Sequence, residues 1–149
     1  AYLNNWIADY VLLNGSAPKI FEDGLQQRDF VSVYDVAQAC RLALDAPGAA
    51  GEVFNVGSGN PQTVNAIAAR LARVMGKEQI APEILGKYRV GDIRHCFSDI
   101  GKAQRVLGFR PAVTLDAGMA ELAAWLEGQA AVDRVAQASA ELSARGLTV

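Results

Sequence analysis

The chain has 149 residues, 51% of them apolar and 20% charged, a balance that suits one soluble globular domain with a real core. A formal charge of −2 and a pI near 5.4 exclude the global basic field of a nucleic-acid binder, so any anion must be gripped locally. No apolar run approaches the roughly 18 residues of a membrane span, and the opening AYLNNWIADY lacks a basic-then-apolar signal pattern; no membrane partner is expected. Cys40 and Cys96 stand far apart without a CxxC partner, and the lone His95 leaves too few soft ligands for zinc. A reducing cytoplasm and no metal are therefore predicted.

Leu3, Ile7, Tyr10 and Val11 fall at helical spacing, and Gly15 with Pro18 ends the run, which predicts a helix over 3–14. KIF (19–21) and FVSV (30–33) read as short strands flanking EDGLQQRD, whose Asp-Gly pair marks a turn. Asp35 is placed to cap a helix with Val36, Ala39, Cys40 and Ala43 inward, which makes Cys40 a core thiol. After Pro47-Gly48, GEVFNVGSGNPQTVNAIAARLARVMGK gives a strand (53–56), a glycine turn and a helix carrying Val64, Ile67, Ala68, Leu71, Val74 and Met75 on one stripe. EIL (83–85) is a brief strand. Asp99 caps a helix that runs through Leu107 and stops at Gly108 and Pro111; Thr114 caps another with Leu115, Met119, Leu122 and Leu126 inward. A final Ala-rich segment, about 131 to 144, alternates charge signs as an exposed helix does.

GSGNPQT follows a strand and opens a helix, as a dinucleotide fingerprint would, but the third glycine should stand at position 62, where the chain has Gln62. No acidic residue ends a following strand at the distance needed for a ribose, so a tight turn is the reading that remains. There is no GxSxG elbow, and Gly86-Lys87 is followed by Tyr88, so a nucleophile elbow and a P-loop are both absent. In KYRVGDIRHCFSD (87–99) and around the Asp-Gly turn, arginine dominates. Arg28 and Arg89 each adjoin a predicted strand, where a guanidinium fork can grip phosphate oxygens in pairs. The competing reading is a surface ion pair, Arg28 with Asp29 or Arg89 with Asp92.

RDFVSVYDVAQAC, GEVFNVGSGNPQTV and YRVGDIRHCFSDIGKAQRVLGFRP, in that order and spacing, resemble the C-terminal half of NAD-dependent sugar-nucleotide epimerases and dehydratases, in the extended short-chain dehydrogenase/reductase family. The ending resembles a subgroup close to UDP-glucose 4-epimerase-like and dTDP-L-rhamnose 4-epimerase-like members. The resemblance implies an α/β fold, the C-terminal part of an extended Rossmann-type epimerase fold, with short strands and several amphipathic helices. Residues 1–149 would form a single substrate-binding domain, and the N-terminal NAD-binding Rossmann domain would lie outside this chain.

None of Tyr2, Tyr10, Tyr34 and Tyr88 has Lys at the fourth position after it, so the family's Tyr-x-x-x-Lys pair is missing. No catalytic residue is expected here, and NAD belongs to the full-length family member, with none bound by this chain alone. Arg28 and Arg89 resemble the family's two diphosphate clamps, and Asp92 resembles the acid near the nucleotide ribose. Lys19 and Phe21 occupy the segment that lies along the base. Phe30 stands where an aromatic adjoins the phosphates and sugar, without the hydroxyl a tyrosine often supplies there. Arg94 and His95 are expected to support the loop.

The implied ligand is a UDP- or dTDP-sugar, and the implied reaction of the parent enzyme is 4-epimerisation or dehydration. A stand-alone sugar-nucleotide binding module and a truncated fragment with a structural role are the alternatives. Either a missing N-terminal half or self-association is expected, with apolar surface bared around 53–56 and the helix from Val64.

Overall fold

The computed structural model describes residues 15–127 and 135–148; the helix expected at 3–14 lies outside the described residues. In chain order the elements are β1 (Lys19–Ile20), β2 (Gln27–Arg28), α1 (Val33–Asp45), β3 (Gln62–Thr63), α2 (Val64–Val74), β4 (Glu83–Ile84), β5 (His95–Cys96), α3 (Gly101–Leu107), α4 (Leu115–Glu127) and α5 (Val135–Ala144). They fall into two units, one of residues 1–26, 63–94 and 119–149, the other of 27–62 and 95–118. The result is the mixed α/β architecture of short strands and amphipathic helices that the sequence implies.

In the first unit β1 runs parallel to β4, Lys19 opposite Glu83 and Ile20 opposite Ile84. Backbone bonds from Glu83 N to Pro18 O and from Leu85 N to Ile20 O, both 2.9 Å, extend the pairing by a residue at each end. A parallel pair needs a crossover, and α2 lies between the two strands in sequence. Thr63 caps α2, its hydroxyl accepting from Ala66 N at 3.1 Å. Val64, Ile67, Ala68 and Leu71 are buried at the spacing of one helical face. The predicted stripe stops there, because Val74 is partly exposed and Met75 is already the C-cap. Because Val64, Ile67, Ala68 and Leu71 are buried, α2 does not present the bare surface expected of it. Met119, Ala123 and Leu126 of α4 are also buried, while Leu122 is only half-buried. Thr114 Oγ1 accepts from Ala117 N at 3.3 Å, as its predicted capping role requires.

In the second unit β2 runs parallel to β5, Gln27 opposite His95 and Arg28 opposite Cys96. The strand expected at 30–33 does not form. Ser32 instead caps α1, its hydroxyl accepting from Tyr34 N at 3.2 Å and its carbonyl from Val36 N at 3.1 Å. Asp35 is thereby moved from the cap into the first turn, where it is 3% exposed and accepts from Ala112 N (2.9 Å) and Val113 N (3.1 Å).

Ala39, Ala103, Leu107 and Phe109 form the core of this unit, with Leu42, Ala43, Phe54 and Val56 packed against it. The inward face of α1 therefore runs through 35, 39, 42–43 and 46, and Cys40 lies one residue, about 100°, off it. Cys40 is exposed, as is Cys96, which corrects its assignment to the core. Residues 53–56 keep the alternation of an extended chain, Phe54 and Val56 toward the core and Val53 81% exposed, but are assigned to no strand. The N-cap of α3 is Ile100 and not Asp99 as expected; Asp99 Oδ1 accepts from Gly101 N at 2.8 Å just ahead of the helix, and Gly108, at φ +68°, ends it.

Candidate functional site

The site is built on the turn after β1. Phe21 leaves the strand, Glu22 follows at φ +54°, and Gly24 follows at φ +72°. Three contacts hold this turn. Glu22 N donates to Lys87 O at 2.7 Å, while Glu22 O accepts from Gly86 N at 3.2 Å. From the first turn of α2, Asn65 N donates to Gly24 O and Asn65 Nδ2 to Asp23 O, both at 3.0 Å. Arg94 supplies the third contact, Nη1 to Glu22 Oε2 and Nη2 to Asp23 Oδ2, each 2.6 Å. A left-handed glutamate costs roughly 1 kcal/mol, and the backbone bonds to Gly86 and Lys87 keep it there.

Through this turn Phe21 faces the loop after β4. The Arg89 guanidinium stands over the Phe21 ring, 5.3 Å from its centroid, and Arg89 Nη2 donates to Asp92 Oδ2 at 2.6 Å. The backbone of the loop is fastened as well: Val90 N donates to Leu147 O at 2.9 Å, and Arg89 forms an antiparallel bridge with Thr148. Arg89 Nε is buried without a hydrogen-bond partner among the described residues. The ring contact contributes on the order of 0.5–1 kcal/mol and orients the fork. Around it opens a cleft of about 610 Å³, lined by Glu22, Asp23, Ile84, Gly86, Tyr88, Arg89, Asp92 and Arg94, within the size range of small-molecule sites. The Arg94 bond holds the Asp23 carboxyl below the usual carboxylate range, and the same two carboxylates raise Arg94 above its ordinary value.

Of the residues singled out in the sequence, Phe21, Arg89 and Asp92 are brought together. Lys19 lies in β1, half-buried and opposite Glu83, and does not line this cleft. Arg28 and Phe30 belong to the second unit. Arg28 Nη1 donates to Gln27 O at 2.8 Å, and Asp29, offered as its ion-pair partner, accepts from Ser58 N (2.8 Å) and Gly59 N (3.3 Å). Those two amides are the ones a phosphate would use in a glycine turn. A Cβ on Gly57 would lie 2.3 Å from Asp29 Oδ2, so the glycine there makes room for a carboxylate. GSGNPQT is a turn fastened by Asp29.

Arg94 ties its loop to Glu22 and Asp23, while His95 Nδ1 accepts from Gln27 N of β2 at 3.2 Å. Sequence reasoning missed Glu22, Asp23, Ile84 and Tyr88. The acidic partners of Arg94 lie 72 and 71 residues before it, and only the fold joins them. Among the described residues no helix is long and apolar enough to cross a membrane, and no cluster of histidine, cysteine or carboxylate side chains is arranged to hold a metal.

Comparison with known proteins agrees with this fold. The NAD dependent epimerase/dehydratase family profile matches residues 3–57. The dTDP-L-rhamnose 4-epimerase of Burkholderia thailandensis is 35% identical over 107 residues, 72% of this chain and 29% of that protein. Among solved structures, the UDP-glucose 4-epimerase of Thermotoga maritima with UDP-glucose superposes with a TM-score of 0.74 at 31% identity, over 85% of this chain and 39% of that one. The UDP-glucuronic acid 4-epimerase of Bacillus cereus, in complex with UDP-glucuronic acid and NAD, gives 0.73 at 26% identity, over 85% and 40%. The chain spans about a third of the length of the curated relatives it matches. In motif order, sequence and fold, this chain belongs to the NAD-dependent epimerase/dehydratase family of nucleotide-sugar enzymes.

Proposed function

We propose that this chain binds the nucleoside diphosphate-sugar substrate of an NAD-dependent sugar-nucleotide 4-epimerase or dehydratase, as its C-terminal, substrate-binding part. The observation that carries this reading is the Arg89 fork, held over Phe21 and against Asp92 at the mouth of an open cleft. A guanidinium fixed on two sides offers its remaining N–H groups in a set direction, which suits bidentate contact with a diphosphate. Asp92 lies close enough to Arg89 to orient it and to accept from a ribose hydroxyl. Phe21 is assigned to the base, and Lys19, Arg28 and Phe30 are the residues that the family resemblance assigns to the base, the diphosphate and the sugar. Binding energy from the unreactive nucleotide is then used to orient the sugar.

NAD does not fit the glycine turn of this chain: Asp29 occupies the amides, and Gln62 replaces the third glycine. No hydride step is assigned to these residues, and NAD and the Tyr-x-x-x-Lys pair are placed in the N-terminal half that the family architecture supplies. A covering partner, either that half or a second copy, is part of the proposal. The setting proposed is the cytoplasm.

Titration of the native protein with UDP and dTDP tests the reading. Arg89→Ala and Arg28→Ala are each expected to weaken binding at least about tenfold, the worth of one or two charge-assisted hydrogen bonds. Arg89→Lys is expected not to recover the loss, because an ammonium lacks the fork. Unchanged affinity in both alanine variants defeats the proposal.

A further inference from the structure

We propose that Arg94 is a positioning residue of the nucleotide subsite, setting the Phe21–Arg89 pair by clamping the turn between them; this rests on the function proposed above. Phe21 and Arg89 sit on different segments, one leaving β1 and the other following β4. Between them the register is fixed by two backbone bonds at Glu22, from Glu22 N to Lys87 O and from Gly86 N to Glu22 O. Those bonds require Glu22 to stay at φ +54°, a conformation that a residue with a Cβ leaves readily. Arg94 grips Glu22 and Asp23 with separate nitrogens at 2.6 Å, so a rotation of the turn would have to break charge-assisted bonds at two adjacent residues.

Single exposed ion pairs contribute little to stability, which makes Arg94 poorly explained as a stabilising residue. Its geometry does more for position. One rigid fork spanning consecutive carboxylates fixes an orientation that no single pair fixes. Arg94 also lines the same cleft as Arg89 and Asp92, yet its nitrogens are directed at carboxylates of the turn. It acts on the ligand through Phe21 and Arg89.

The test is a double-mutant cycle on UDP affinity in the native protein, with thermal melts of every variant. Arg94→Ala is expected to weaken UDP by roughly fivefold to twentyfold, and to change affinity less than about twofold when Arg89 is already alanine, because the two act as a unit. The effects on melting should stay additive, which a merely structural role would not combine with coupled binding. Arg94→Lys, which cannot span both carboxylates, should recover only part of the affinity. If Arg94→Ala fails to fold, Glu22→Gln with Asp23→Asn removes the carboxylate side of the same two ion pairs, and its coupling to Arg89→Ala is read in the same cycle. Parent-like affinity in the variant that folds, or an equal loss in the Arg89→Ala background, overturns the proposal while leaving the function intact. A folded native protein that binds neither UDP nor dTDP overturns both.

Discussion

Gly24 is where the turn beneath the site is most exposed to a single substitution. Its φ of +72° is left-handed, and a Cβ there would lie 1.8 Å from Asn65 Oδ1. Gly24→Ala therefore meets two costs. The left-handed conformation costs a residue with a Cβ about 1–2 kcal/mol. Moving the Asn65 amide out of the way forfeits its bond to Asp23 O, worth about 1 kcal/mol net. The sum is about 2–3 kcal/mol, and in a chain of this size each kcal/mol lowers Tm by roughly 2–4 °C. Thermal and urea unfolding of Gly24→Ala, Asn65→Ala and the double variant measure it. Asn65→Ala alone should cost about 1 kcal/mol. In its background the Gly24 substitution should cost only the conformational part, about 1–2 kcal/mol. A Gly24→Ala protein within about 0.5 kcal/mol of the parent, the range of an unremarkable surface change, refutes the account of this turn.

Other positions give equally direct outcomes. Asp35→Ala leaves the amides of Ala112 and Val113 without their buried acceptor and should cost about 3 kcal/mol in chemical unfolding. Because Arg94 depresses the Asp23 carboxyl, what that pair contributes is present above the ordinary value of 3.8 and is lost as the pH falls through the depressed value. Melting curves of the parent and Asp23→Asn should therefore differ near neutrality and converge in acid below that point. Both cysteines are exposed, so two thiols should react with Ellman's reagent in the native state without denaturant.

Helices were legible where burial is regular. The face of α2 was readable because Val64, Ile67, Ala68 and Leu71 follow the helical period; its cap, Thr63, emerged only in the structure. Around Ser32 two local codes compete: FVSV has strand composition, but the serine hydroxyl captures Tyr34 N and starts α1. Cys40 was misplaced by a single residue of helical phase. The strand read at 53–56 kept only its extended alternation, Phe54 and Val56 inward, because a strand also needs a neighbour to bond, which no local pattern supplies. Within the site, Arg89 and Asp92 are three apart and could be paired on paper. The link from Arg94 to Glu22 and Asp23 spans some seventy residues, and charge patterning along a chain carries no information at that range. The role of Asp29 was hidden for the same reason, since its partners Ser58 and Gly59 are 29 and 30 residues away.

The central claim is that Arg89, set by Phe21 and Asp92, receives the diphosphate of a nucleotide sugar. A crystal structure of the native protein soaked with UDP-glucose measures it most directly. The account predicts phosphate oxygens within about 3.2 Å of the Arg89 guanidinium, with the nucleotide in the cleft beside Phe21. Clear density for the nucleotide at another place, with Arg89 still bonded to Asp92 and no phosphate against it, would contradict the account.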